Sequence, residues 1–152
     1  MQVTNITIGA DPEVFIIDKS TNKVVSAIGL IPGEKGNPYT EGMPKGFGVE
    51  IDAILGEFNI PPCTTKDEFV YSIKYMKNWI KSYVKSFNSN YDILCKASHR
   101  VPKDQLLDPL ANQIGCSADF NAYTEEENPK PTGYTNCKRV AGSDARRYSN
   151  IS

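Results

Sequence analysis

The chain has 152 residues, 39% of them hydrophobic, and a formal net charge of −1. That length fits one domain, able to bury roughly 70% of its unfolded surface without help from disulfides or metal, and the composition excludes a chain that is disordered throughout. The balanced charge removes any general electrostatic drive toward nucleic acid or anionic membrane, so neither is an expected partner.

The first residues, Met1-Gln2-Val3-Thr4-Asn5, hold no basic region with an apolar stretch behind it, so no signal peptide is expected. Apolar runs such as Val14-Phe15-Ile16-Ile17 fall far short of the ~20 residues that span a bilayer. The expectation is a soluble, cytoplasmic protein. Cys63, Cys95, Cys116 and Cys137 contain no CxxC pair, which argues against the common zinc sites and for reduced, mostly buried thiols. His99 is the sole histidine, and nothing around it favours a Cys–His or Ser–His pair.

In chain order, residues 3–8 alternate apolar and polar as a half-buried strand does, and 13–18 continue in β-rich composition. After the polar turn Lys19-Ser20-Thr21-Asn22, residues 23–31 read as the return strand of a hairpin. The Gly- and Pro-rich stretch 32–48 reads as one long loop, a length that usually serves function. Residues 49–60 read as a single strand with acids embedded in it, ended by Pro61-Pro62. Thr65-Lys66-Asp67-Glu68 is a capping box, and Phe69, Ile73, Met76, Ile80 and Val84 recur at helical spacing behind it, predicting a helix over 66–87 with a solvated lysine side. Residues 91–97 read as a further strand and 106–112 as a short helical turn or loop. Residues 115–123 are ambiguous, and 124–136 form an acidic loop.

The informative oddity is where the acids sit. Asp11 and Glu13 are two apart in a strand-like stretch and so share a face, as do Glu50 and Asp52. Glu57 and Asn59 fall on the other parity unless Gly56 marks a bulge. Charges inside apolar strands cost several kcal/mol when buried unpaired. If neighbouring strands gather them, they need a cation, and hard oxygen donors suit Mg²⁺ or Mn²⁺. The plainer alternative is an exposed sheet face with its acids in water.

Ile8-Gly9-Ala10-Asp11-Pro12-Glu13-Val14-Phe15, then Lys35-Gly36, Val49-Glu50-Ile51-Asp52, Glu57-Phe58-Asn59-Ile60-Pro61-Pro62 and Gly115-Cys116-Ser117-Ala118-Asp119-Phe120-Asn121-Ala122-Tyr123 stand in that order. Together they resemble the type-2, phiEco32-like phage carboxylate–amine ligases of the glutamine synthetase/γ-glutamylcysteine synthetase superfamily, over residues 6 to 142. The resemblance implies an α+β, glutamine synthetase-like fold: an antiparallel sheet with an acidic concave face, packed by the long helix at 66–87. It implies an ATP-dependent reaction in which a carboxylate becomes an acyl phosphate and an amine then attacks it. The implied metal ligands for Mg²⁺ or Mn²⁺ are Asp11, Glu13, Glu50, Asp52 and Glu57. Glu57 and Asn59 are the implied catalytic residues, and Lys35 and Asp119 the implied contacts to nucleotide or substrate.

Family members continue after an Arg-x-Ala-Gly segment with a Gly-His-x-His motif. Here Arg139-Val140-Ala141-Gly142 runs into Ser143-Asp144-Ala145-Arg146. The chain is therefore expected to be the N-terminal part of such a ligase: one domain over 1–142, a polar tail over 143–152, and a site completed by an oligomer or second chain. Expected partners are small-molecule or peptide carboxylates and amines. The alternative function is a non-catalytic phage binding or virion-associated protein that keeps the ligase scaffold.

Overall fold

The computed structural model describes residues 6–112 and two short strands at residues 120–121 and 126–127. Strand β1 (Glu13–Asp18) is the middle of the fold. Val14, Phe15, Ile16 and Ile17 are all buried, as a strand covered on both faces requires. Its C-terminal half is paired along both edges, with β2 (Lys23–Val25) on one and β5 (Tyr91–Leu94) on the other, while Glu13 and Val14 pair with β4 (Leu55–Asn59). β3 (Gly48–Asp52) pairs with β4, and every pairing is antiparallel. The architecture is α+β, a curled antiparallel sheet with one helix, α1 (Lys66–Phe87). β6 (Phe120–Asn121) and β7 (Glu126–Glu127) pair with each other.

The helix forms over the predicted span for local reasons. Thr65 Oγ1 accepts the Glu68 N–H at 3.2 Å, and the Glu68 carboxylate accepts the N–H groups of Thr64 and Thr65 at 2.8 and 3.2 Å. Ser72, Met76, Ile80 and Val84 form a buried stripe at four-residue steps. The last three share one core with Val14, Ile16, Val49 and Phe58 of the sheet. Each fully buried aliphatic side chain contributes about 1.5–3 kcal/mol relative to exposure. The lysine side faces solvent, and two of its lysines also reach a partner. Lys81 and Lys85 approach Asp92 of β5 at 3.2 and 3.9 Å, joined by Lys19 at 3.4 Å.

Side chains alternate across a strand, so Phe15 points away from the helix. On that side it joins a smaller core with Val24, Ile54, Leu55, Val101 and Ala111. Two 3₁₀ turns, Lys103–Leu106 and Pro109–Asn112, lie in the segment that closes this side, and the Gln105 carboxamide oxygen accepts the Ser26 N–H at 2.8 Å.

Four expectations are corrected. Residues 49–60 are not one strand but the hairpin β3–β4, turned at Ala53 and Ile54, with Asp52 opposite Leu55. β2 ends at Val25 rather than Ile31, because the N–H groups of Leu30 and Ile31 both turn back to the Ala27 carbonyl. Over residues 6–8 no strand forms; Ile8 makes one bridge to Cys63, and Ile6 and Ile8 are exposed. Cys63 is buried but Cys95 is exposed, both as free thiols, whereas Cys116 and Cys137 lie outside the described residues. The ambiguous stretch at 115–123, the loop expected at 124–136 and the tail expected at 143–152 also lie outside them, apart from β6 and β7.

Candidate functional site

The β3–β4 turn decides where the acids meet. It sets Glu50 directly opposite Glu57, and β1 sets Glu13 opposite Glu57 on its other edge. Three glutamates thus form one row across three adjacent strands about 4.8 Å apart. Asp52 is two residues from Glu50 and shares its face. No bulge at Gly56 is needed, since the turn itself brings Glu57 onto the side of Glu50 and Asp52. This is the face away from the helix, because Val14, Val49 and Phe58 occupy the other.

These carboxylates are not standing in water. Glu50 and Asp52 are each 6% exposed and Glu57 8%. Like charges placed directly opposite across a sheet are destabilising, and burial adds to the cost. The offset comes from the long loop. Glu34 and Asn37 exchange backbone hydrogen bonds of 2.8 and 3.2 Å around a two-residue turn, Lys35-Gly36, with Gly36 at φ +79°. From this tip Lys35 Nζ donates to Asp52 Oδ2 and to Glu57 Oε2, both at 2.7 Å, and the Gly36 N–H donates to Glu50 Oε2 at 2.9 Å.

Two features hold the tip there. Tyr39 and Val49 exchange backbone hydrogen bonds of 2.8 and 3.0 Å, tying the loop to the free edge of β3. Gly33, at φ +88°, lies so close to that edge that a Cβ would meet the Val49 carbonyl oxygen at 2.4 Å and the Tyr39 nitrogen at 2.8 Å. Only glycine fits there.

The electrostatics follow from this packing. Burial, and then the charges of Asp52 and Glu57, push the Glu13 carboxyl up to about 7, with Lys35 pulling the other way. Burial also raises Glu57, against the hydrogen bond and charge of Lys35 and with the charges of Asp52 and Glu50. Lys35 is itself partly desolvated, yet its bonds to Asp52 and Glu57 hold its ammonium well above the usual lysine range. The face therefore carries a lysine ammonium at its rim, excess negative charge, and one carboxyl, Glu13, raised to about 7.

Of the residues singled out from sequence, Glu13, Asp52 and Glu57 converge, with carboxylate oxygens all within 4.8 Å of one another. Glu50 flanks them on the Gly36 amide. Asp11 is exposed, ahead of β1. There Phe58 N–H donates to the Pro12 carbonyl at 3.1 Å and Ile60 N–H to that of Ala10 at 3.3 Å, which sets Asp11 across from the half-buried Asn59. Asp119 lies outside the described residues. Sequence reasoning missed the roles of Gly33 and of the Gly36 amide. A two-residue Lys-Gly tip between Glu34 and Asn37 is the signal that points to the latter.

Among the described residues, no helix is long and apolar enough to cross a membrane. No family model, curated protein or solved structure matches the chain.

Proposed function

We propose that the chain is an ATP- and Mg²⁺- or Mn²⁺-dependent carboxylate–amine ligase with a glutamine synthetase-like fold, working on small-molecule or peptide acids and amines in the cytoplasm. The observation that carries this reading is the meeting of Glu13, Asp52 and Glu57 on one buried sheet face, with Lys35 at its rim.

The donor set fits a hard divalent ion. Oxygen ligands stand about 2.0–2.1 Å from Mg²⁺ and about 2.3–2.6 Å from Ca²⁺, so two ligands of one ion are separated by at most about 4–5 Å. The three carboxylates lie within 4.8 Å of one another, inside the wider of these limits. In this reading Glu13, Asp52 and Glu57 hold the ion, Glu50 and Asp11 add charge around it, and the bound ion supplies neutralisation of phosphate charge during phosphoryl transfer. Lys35, about a third exposed, swings from the carboxylates to a phosphate or carboxylate oxygen. The phosphoryl group passes to the substrate carboxylate with ADP leaving. The amine nitrogen then bonds to the acyl carbon, phosphate leaves, and Glu57 takes the proton the amine gives up. Asn59, on the same face, offers its amide to the substrate, and Asp119 is assigned to nucleotide or substrate by resemblance alone. A second chain or an oligomer completing the site belongs to the same proposal.

The test is ADP release from ATP and Mg²⁺ with panels of acids and amines. The ligase reading expects acid- and amine-dependent release that Glu57→Gln reduces by about 100-fold or more, the loss typical of a general base. No turnover by this chain or by a longer one containing it would overturn it.

A second reading, a non-catalytic phage binding or virion-associated protein on the same scaffold, is favoured by one specific observation. Lys35 already bridges Asp52 and Glu57 at 2.7 Å each, so the acids are partly neutralised without any metal.

A further inference from the structure

A second polar feature opens where the β1–β2 turn meets the segment after β5, and it has the opposite sign. Asn22, Lys23, His99, Arg100, Val101 and Pro102 line a cleft of about 430 Å³. Three of these residues are basic and none is acidic. Among the described residues, no carboxylate lies within ion-pair distance of Lys23, His99 or Arg100, whereas Lys19, Lys35, Lys81 and Lys85 all have acidic partners.

The cleft is anchored from beneath. The His99 ring sits edge-on to Phe15, with centroids 6.3 Å apart and planes at 60°, and Phe15 is 2% exposed. Val101, 4% exposed, is fixed in the same small core. On the facing wall Asn22 takes a left-handed φ of 55° at the end of the β1–β2 turn, and Lys23 follows it in register with Asp18. An apolar floor at Phe15 and Val101, with His99, Arg100 and Lys23 contributing to the lining, suits charge-assisted hydrogen bonding to an oxyanion.

We propose that this cleft binds a phosphate group carried by a small molecule. Two cationic side chains and an imidazole match the oxygens and the charge of about −1.5 to −2 of a phosphate monoester better than the single charge of a carboxylate. The cleft lies within the roughly 300–1,000 Å³ of small-molecule sites, so there is room for an organic body beside the phosphate. This inference does not rest on the ligase reading, and the test omits divalent metal so that the acidic face plays no part.

His99 is the chain's sole histidine, which makes its ring resonances a direct reporter. The charged groups beside it are Arg100 from its own segment and Lys23 from β2, which pairs across the strands with Asp18 of β1; Phe15 beneath it is uncharged. The experiment is an NMR titration of the whole chain with inorganic phosphate, AMP and acetate in a chelator. Saturable shifts of His99 with phosphate and AMP are expected, together with an imidazole titration midpoint that moves upward on binding. Lys23→Gln/Arg100→Gln, which alters two exposed side chains, weakens both responses by at least about tenfold while the rest of the spectrum stays folded. Acetate gives no saturable shift. Absence of a saturable response to phosphate, an unchanged response in the double variant, or an equal response to acetate would each overturn the proposal.

Discussion

Lys35 does for Asp52 and Glu57 what a bound cation would do, and this makes it the residue whose removal says most about the acidic face. Lys35→Met leaves Glu13, Glu50, Asp52 and Glu57 packed together with no counter-charge. Breaking a fully buried pair costs about 3–5 kcal/mol. Lys35 is 37% exposed, so the expected loss is smaller, about 1–2 kcal/mol. Thermal unfolding of the variant and the parent, with and without Mg²⁺, checks this. Mg²⁺ should raise the variant's Tm more than the parent's, and equal shifts would contradict it.

Glu13 ties the same cluster to pH. Its native pKa of about 7 lies above the ordinary 4.5, so between these values the native state holds more protons than the unfolded chain. The stability this group contributes is fully present below about pH 4.5 and is lost as pH rises through 7. Glu13→Gln stays neutral throughout and avoids the loss. In urea unfolding without divalent metal, the variant should match the parent near pH 4.5 and exceed it at pH 8 by about 1–2 kcal/mol, a figure reduced for the partial exposure of Glu13. A variant weaker than the parent at pH 8 would show that Glu13 is not under strain.

At the scale of elements, local signals decided what was legible in the sequence. The helix was readable in full because its capping box and its four-residue stripe are both set by neighbours in the chain. Thr65→Ala should cost about 1 kcal/mol, read from chemical denaturation, through the loss of the N-terminal cap. The β3–β4 hairpin was not readable. Ala53-Ile54 holds none of the Gly, Asn, Asp or Pro residues that mark turns, and its apolar character blends the two strands into one run. Ala53 takes φ 51°, a left-handed conformation that suits glycine better, while Ile54 is buried and earns its place by packing. Ala53→Gly should therefore be neutral or stabilising by up to about 1 kcal/mol, where most strand-to-glycine changes weaken a sheet.

The long loop was legible as a loop but not as a device. Its function depends on Tyr39 pairing with Val49 and on the narrow gap at Gly33, both of which are long-range facts of the fold. Gly33→Ala pushes the loop off β3 and withdraws Lys35, so it should reproduce the effects of Lys35→Met and add a loss from the broken Tyr39–Val49 pairing.

At the scale of the molecule, one sheet separates two kinds of surface. The helix seals one face with an apolar core. The other carries the row Glu13, Glu57 and Glu50, with Asp52 beside it, and a small core around Phe15. The parity of Glu50 and Asp52 announced a shared face, but their near-complete burial depends on the loop folding over them, which no periodicity records. The near-neutral net charge hides this arrangement, because the helix carries five lysines, two of them paired with Asp92, while the acids of the opposite face share one lysine.

The central claim is that this face takes a divalent cation, and titration calorimetry with Mg²⁺ and Mn²⁺ in two buffers of different ionisation enthalpy tests it most directly. The account predicts binding that weakens by at least about tenfold in both Glu13→Gln and Asp52→Asn, with a proton released below pH 7 as the metal displaces it from Glu13. The absence of binding heat in the parent chain, or equal binding in the parent and both variants, would contradict it.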